Sequence, residues 1–410
     1  MVRVLKRRDF LRSAAGSAFL AGGDRGDRGD GGDGGDGEMW RLVRAAYLIP
    51  DDRIYLNVAT LGPQPRVVVE AVLEHTRRVA MTYPPGVNWD ELKSRVGTFL
   101  NGDPAGFVFP RNTTEAMSFV ANGLELGAGD EVVTTLHEHI GGLCCWQLAA
   151  QRRGVSLRQV DLPVPASSAD ELVDVFRRAI TGRTRVVSVS HVTFTNGTIM
   201  PVREIAALCR ERGIICVVDG AHPPGMMRVD LKDIDADFYA SSPHKWLCAP
   251  QGSGLLWMGE EWRTRLWPTL ASGDWDNLEL GAQRFNHMGS MDESRLAGLD
   301  AAIRFQEAIG TDRIEARVAE LRTRILDGLM MMPRVAVMSP AADALGAGMV
   351  SFRVDGMESN ELQRRLAEAA NIRTRVIGEY DYGWMRLSPH IYSMPAEIDR
   401  VLSLIADEIQ

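Results

Sequence analysis

Residues 213–254 read GIICVVDGAHPPGMMRVDLKDIDADFYASSPHKWLCAPQGSG, and they decide the fold. GIICVVD (213–219) is a short apolar run rich in β-branched side chains and bounded by glycines. Such a run reads as a buried strand. DFYAS (237–241) reads the same way, and Ser242, His244 and Lys245 follow it directly. Each strand therefore delivers polar groups just past its carboxyl end, Asp219 from the first and three groups from the second. Lys245 stands beside a histidine and a tryptophan, ahead of the apolar GLLWM stretch. That setting reads as more than a surface charge.

The same pattern extends outward from this stretch. EVVTT (131–135) and TRVVSVSHV (184–192) read as further buried strands. TEAMSFVANGL, GLCCWQLAAQRRG, ADELVDVFRRAI and PVREIAALCRERG read as helices between them, with Gly154 and Gly213 at their carboxyl ends. Strands alternating with helices predict an α/β fold, a mostly parallel sheet covered by helices on both faces. This large domain is expected over residues 39–291. From about residue 292 a long helical pattern gives way to GMVSFRVDG, ESNELQRRLAEAA, WMRLS and PAEIDRVLSLIADEI. A smaller α+β domain is expected over 292–410.

Forty-six basic and 54 acidic residues among 410 give a net charge of −8. That balance offers nothing to nucleic acid or to an anionic membrane. The five cysteines form no C-x-x-C, and no metal site is expected. Cys144, Cys145, Cys209 and Cys216 read as buried thiols, while Cys248 lies too near Lys245 to set aside. No apolar run is long enough to span a bilayer. KRRDFLRSAAGSAFLAGG places Arg7 and Arg8 ahead of a weakly apolar stretch, and residues 1–23 resemble a twin-arginine export signal. Engagement of the export machinery and a periplasmic or otherwise exported location follow as expectations, with a cytoplasmic location if the signal is not functional. Residues 24–38 are almost wholly Asp, Gly and Arg and read as a flexible tether.

Ligands of open α/β sheets bind outside the carboxyl ends of the strands. Asp219, the Ser242–Lys245 group, His139 after EVVTT, and Thr113 and Thr114 after FVFPRN all fall on that rim. Pyridoxal 5′-phosphate (PLP) asks for this set. Its aldehyde needs an amine that can be neutral, which desolvated Lys245 supplies. Its pyridine nitrogen needs a buried carboxylate, which Asp219 supplies. Its phosphate suits the helix start NTTEAM, and His139 in HEHIGG offers a ring to lie over the cofactor. Singly, each has a plainer reading: Asp219 as a turn residue, NTTE as an ordinary helix start with Asn112 as cap, His139 as a loop residue exchangeable with His137, Lys245 as a solvated side chain. Together and in this order the plainer readings fail.

NTTE, EH, DGAH and SPHKW in this order resemble the class V aminotransferase family, whose architecture is that of fold-type I PLP enzymes. HKWLCAPQGSGLLW and YLNVATLGPQP are most similar to its isopenicillin N epimerase branch. The resemblance implies that Lys245 carries the aldehyde and moves protons at the substrate Cα. It implies that Asp219 pairs with the pyridine nitrogen, that His139 stacks on the ring and that His222 reaches the phenolic oxygen. Thr113, Thr114, Ser242 and His244 would hold the phosphate, joined by Ser290 of Gly289–Ser290 from a partner subunit, so a homodimer with shared active sites is implied. Arg386 in MRLSPHIYS matches the clamp for the substrate carboxylate, and Asn57 falls on the substrate side; the plainer reading of Arg386 is a surface strand residue. Desulfurases of the family carry a nucleophilic cysteine just before this arginine, whereas RTRVIGEYDYGW (373–384) has none. Phe194 stands where they place Asn. An aminotransferase or epimerase acting at Cα of an amino acid or peptide-like amino acid is expected. A PLP-dependent C–S or related β-lyase is the alternative, and a non-catalytic PLP-binding protein the alternative of another class.

Overall fold

A computed structural model describes residues 36–81 and 86–409. The export-signal reading and almost all of the tether lie outside the described residues. A helix over Asp36–Ala46 begins inside the 24–38 stretch read as tether.

The strands are Ile54–Tyr55 (β1), Phe107–Val108 (β2), Glu131–Thr135 (β3), Ser156–Val160 (β4), Thr184–Ser190 (β5), Ile215–Asp219 (β6), Phe238–Ser241 (β7), Leu255–Met258 (β8), Val335–Val337 (β9), Val350–Val354 (β10), Ile372–Arg373 (β11), Arg375–Ile377 (β12) and Trp384–Leu387 (β13). The large sheet runs β2-β8-β7-β6-β5-β3-β4. β8 is antiparallel to both neighbours, and the remaining pairings are parallel. The expected mixed α/β architecture is therefore present, with helices such as Thr113–Gly123, Ile140–Arg153, Ala169–Ala179 and Val202–Glu211 between the strands.

The continuous apolar strands are explained by burial on two faces. Val133, Val187, Val189 and Val218 point into one core with Phe176, Ile205 and Leu299. Val132, Val186 and Val217 point into the other with Val120, Trp146 and Phe285. β4 carries SLRQV at the sheet edge and is only partly buried, so it lacks the apolar signature of its neighbours. Asn112 starts the Thr113–Gly123 helix by accepting a hydrogen bond from the Glu115 N–H at 3.0 Å. Gly154 ends its helix at φ 71°, a left-handed conformation that glycine takes without steric cost.

A second sheet, β12-β13-β10-β9, is antiparallel throughout. Its core includes Phe352, Leu366 and Ile398 from the C-terminal elements, and it also takes Ile54 and Leu56. β1 pairs with β11, so this N-terminal segment packs with the C-terminal elements rather than with the large sheet. The same segment then crosses to the lysine loop, where the Gly62 N–H donates to the His244 carbonyl at 2.8 Å. A Cβ on Gly62 would collide with the Lys245 carbonyl oxygen and stand 2.9 Å from Cys248 Sγ. Gly62→Ala is therefore expected to destabilise the fold by about 1–3 kcal/mol, the usual cost of overpacking, and to loosen the lysine loop. Denaturant unfolding and cofactor retention on gel filtration check both effects, and an unchanged midpoint with full retention contradicts them.

Candidate active site

A cavity of about 280 Å³ opens at the carboxyl ends of β5, β6 and β7, lined among others by Thr113, Thr114, His139, Asp219, His222 and Lys245. Ser242, His244 and Arg386 line it as well. The structure thus brings together nine of the eleven residues singled out from the sequence. The other two are Asn57 and Ser290. Asn57 is buried and stands one step back. Its Oδ1 accepts from Thr60 Oγ1 at 2.8 Å, and Thr60 Oγ1 in turn accepts from Arg386 Nη2 at 3.1 Å. Ser290 is exposed and lines a separate groove.

Lys245 Nζ lies 3.3 Å from His222 Nε2. Trp246 Nε1–H donates to His222 Nδ1 at 3.1 Å. With Nδ1 accepting, a neutral His222 carries its proton on Nε2. Burial, reinforced by the Lys245 and Arg386 charges, holds His222 well below the usual histidine range, so it is neutral. Its Nε2–H then faces Lys245, an arrangement that suits an amine lone pair and not an ammonium. Burial likewise lowers the Lys245 amine to about 8, against the opposing pull of Asp219.

Asp219 ends β6, and its Oδ1 accepts from the Ala221 N–H at 3.0 Å. Burial raises its carboxyl, while the Lys245 charge and that hydrogen bond pull it down. A Cβ on Gly142 would stand 2.7 Å from Asp219 Oδ2, so the Ile140–Arg153 helix comes this close only with glycine there. His139 caps that helix, its Nδ1 accepting from the Gly141 N–H at 3.1 Å. Its ring stands edge-on to Phe194, with centroids 5.1 Å apart. Burial, and then the Lys245, Arg375 and Arg386 charges, lower it to about 3, so it presents a neutral aromatic face. His137, the alternative histidine, is engaged elsewhere, at 2.7 Å from Thr195 Oγ1 and stacked on Tyr382.

At the other end of the cavity, Ser242 Oγ accepts from the Thr113 N–H at 3.1 Å and lies 2.7 Å from Thr113 Oγ1. Helix amides, hydroxyls and His244 meet there, and His244 Nδ1 is buried without a hydrogen-bond partner. Arg386 is 2% exposed. It donates from Nη1 to the Phe194 carbonyl at 2.6 Å, yet its Nε has no partner and no carboxylate pairs with it among the described residues. Polar atoms without partners at both ends of one cavity, His244 Nδ1 and Arg386 Nε, fit a phosphate at one and a carboxylate at the other. The residues present fit PLP between them: Lys245 would meet its aldehyde, Asp219 its nitrogen, and Thr113, Ser242 and His244 its phosphate.

Comparison with known proteins agrees. The family model Aminotransferase class-V matches residues 81–401. The chain belongs to the class V aminotransferase family. It is 32% identical over 384 residues to isopenicillin N epimerase of Streptomyces clavuligerus, covering 88% of this chain and 96% of that one. It is 32% identical to a probable cysteine desulfurase of Halobacterium salinarum, covering 76% and 79%. The solved complex of the cystine C–S lyase C-DES with its product cysteine persulfide superposes with a TM-score of 0.77 at 25% identity, covering 86% and 97%. The protein has the fold of fold-type I PLP enzymes and is a PLP-dependent enzyme of this family.

The sequence reading missed several groups. Thr60, Val192 and Arg375 line the cavity without a motif of their own. Glu138 is buried beside Ser190, accepting from Ser190 Oγ at 2.5 Å, the Ser190 N–H at 3.3 Å and Thr135 Oγ1 at 2.8 Å. Burial raises its carboxyl to about 7. Its position next to His139 was the available signal. Of the cysteines, Cys144 is exposed, correcting its reading as a buried thiol, since it falls on the outer side of its helix. Cys248 is buried and pushed up to about 12 by burial, an inert thiol.

The Lys245 ammonium is disfavoured in the folded chain, which therefore binds fewer protons than the unfolded chain between about pH 8 and the usual lysine value of 10.5. The cost is complete below pH 8 and disappears above 10.5. Lys245→Met is expected to make the cofactor-free protein more stable at pH 7 by about 3 kcal/mol, with the gain vanishing above pH 10.5. Urea unfolding of both proteins across pH 7–11 checks this, and a gain independent of pH contradicts the assignment.

Proposed function

We propose that the protein acts at Cα–H of an amino acid or peptide-like amino acid, as an epimerase or aminotransferase. The supporting observation is the pairing of two groups in one cavity, Lys245 with its lowered amine and Arg386 as a buried guanidinium with no paired carboxylate among the described residues. Arg386 presents a planar fork of donors that matches a carboxylate in two hydrogen bonds. PLP, when bound, withdraws electrons from the Cα of an amine joined to it. Lys245 then takes and returns the Cα proton, a role that an amine near pKa 8 can fill from either side at neutral pH. His222 holds its Nε2–H toward the amine end, and Arg386 with Thr60 fixes the substrate's orientation.

The face to which the proton returns separates the outcomes. Inversion would need a second group to deliver a proton to Cα from the face opposite Lys245, whereas transamination would need Lys245 to return the proton to the cofactor carbon. A β-lyase is the second reading, supported by the likeness to the C–S lyase C-DES. Transfer of sulfur through a protein persulfide lacks support, because no cysteine lines the cavity among the described residues. We also propose a homodimer in which Ser290 of one subunit reaches the other subunit's phosphate site. The N-terminal twin arginines support export of the folded protein, to be tested by fractionating periplasm and cytoplasm.

Incubation of the holoenzyme with an amino-acid panel in deuterated water tests the reading. Deuterium at Cα without keto acid is expected for an epimerase, and keto-acid release with loss of the cofactor's visible band for an aminotransferase. Release of pyruvate and a thiol supports the lyase. Borohydride is expected to fix PLP on Lys245 in the wild type and not in Lys245→Ala, whose turnover should fall at least about 10³-fold. PLP fixed on Lys245 with no exchange toward any amino acid establishes a non-catalytic binder instead.

A further inference from the structure

Arg375 and Arg386 stand directly opposite each other on neighbouring antiparallel strands, β12 and β13. Residues so paired project from the same face with Cβ atoms about 5 Å apart, and like charges there repel. Both arginines line the same cavity as Lys245. Arg386 is buried and has no acid partner among the described residues. Arg375 is held by the Glu379 carboxylate four residues on, in the loop between β12 and β13. Glu379 is also the acid whose charge reaches Arg386. Asp219 stands at the other side of the cavity, where the cofactor nitrogen takes it. One acid thus serves two guanidinium groups, an arrangement that costs stability in a chain with nothing bound.

A single substrate carboxylate on Arg386 offsets one of these charges and leaves Arg375 dependent on Glu379. Arg375 donates to Glu379 through Nη2, and no other hydrogen bond of its side chain is present among the described residues. Its remaining N–H groups are available at the cavity wall. We propose that the substrate carries a second acidic group in its side chain, received by Arg375, and that Glu379 holds that guanidinium in place until it arrives. The inference rests on the Cα–H reading above and narrows its substrate to amino acids bearing a side-chain carboxylate.

The test titrates the holoenzyme with both enantiomers of aspartate, glutamate and 2-aminoadipate and with their neutral counterparts asparagine, glutamine and norleucine. The readout is the change in the cofactor's visible band. At least one diacid is expected to half-saturate the change at a concentration about tenfold or more below its neutral counterpart, the scale of one charge-assisted hydrogen bond. Arg375→Met is expected to weaken the diacid more than its neutral counterpart, so that the ratio falls to about one. Glu379→Gln, which keeps Arg375, should tighten the diacid several-fold. Equal binding of diacids and neutral analogues by the wild type overturns this inference and leaves the Cα–H reading standing. Equal weakening of both classes by Arg375→Met also overturns it, because Arg375 then serves the α-carboxylate. If none of these amino acids moves the band, this inference is overturned, and the Cα–H reading is decided separately by the deuterium-exchange panel. If Arg375→Met does not fold, the wild-type ratio and Glu379→Gln decide.

Discussion

The hydrogen bond from Trp246 Nε1–H to His222 Nδ1 determines what the reactive lysine meets. Trp246 is completely buried, so its indole cannot turn away, and the histidine has one neutral tautomer available. The Nε2–H of that tautomer points at Lys245 Nζ. An ammonium there would face a donor and the Arg375 and Arg386 charges; a free amine faces a donor from which it can accept. The packing of one aromatic side chain therefore reaches the chemistry through a single ring. Cys248 and Gly62, which press on the same loop from below, serve this packing and take no part in the reaction.

Two segments tie Arg386 to the lysine loop. Residues 54–62 pair with β11 at one end and with the lysine loop at the other. The 192–198 loop forms the second link, since Arg386 donates to the Phe194 carbonyl, Ser351 Oγ to Thr195, Ser339 Oγ to Asn196, and the Ala347 N–H to Gly197. Arg386 sits on β13 of the small sheet and Lys245 past β7 of the large one. The two are thus linked through hydrogen bonds to the backbone of these segments, some from backbone N–H groups and some from side chains. Placement on rigid elements is what a carboxylate clamp needs if Cα is to stay within reach of the amine.

The groups visible in the sequence are those that a strand end or a helix start delivers. Asp219 ends an apolar run, Lys245 follows another, and Thr113 opens a capped helix, so each carries a local signature. Arg386 was recognisable only through the family's wording around it, because an arginine within a short strand has no signature of its own. Thr60, Arg375 and Phe194 enter the cavity through contacts between segments far apart in the chain, which no periodicity records. β4 escaped because its exposed edge carries polar residues, and β9 and β12 because three residues are too few to show alternation. Asn57 is close to the site in the sequence wording, yet its side chain is spent on orienting Thr60.

The charges around the cavity are segregated. Asp219 and Glu138 lie along the carboxyl ends of the large sheet, joined through Ser190, which pairs with Asp219 across β5 and β6. Arg375 and Arg386 lie opposite, on the small sheet, with Lys245 between the two groups. The field across the cavity therefore runs from the small sheet toward the large one. A bound amino acid would find the positive end suited to its carboxylate, and Asp219 at the negative end would favour a proton on a pyridine nitrogen held there. PLP bound with its nitrogen beside Asp219 would draw electron density from Cα, and Asp219 would sustain the proton on that nitrogen. The buried carboxylates and the Arg386 guanidinium, which has no paired carboxylate among the described residues, are each unfavourable on their own. They become complementary only when a dipolar ligand spans them, so the cost of separating these charges in the fold is recovered as orientation of the ligand.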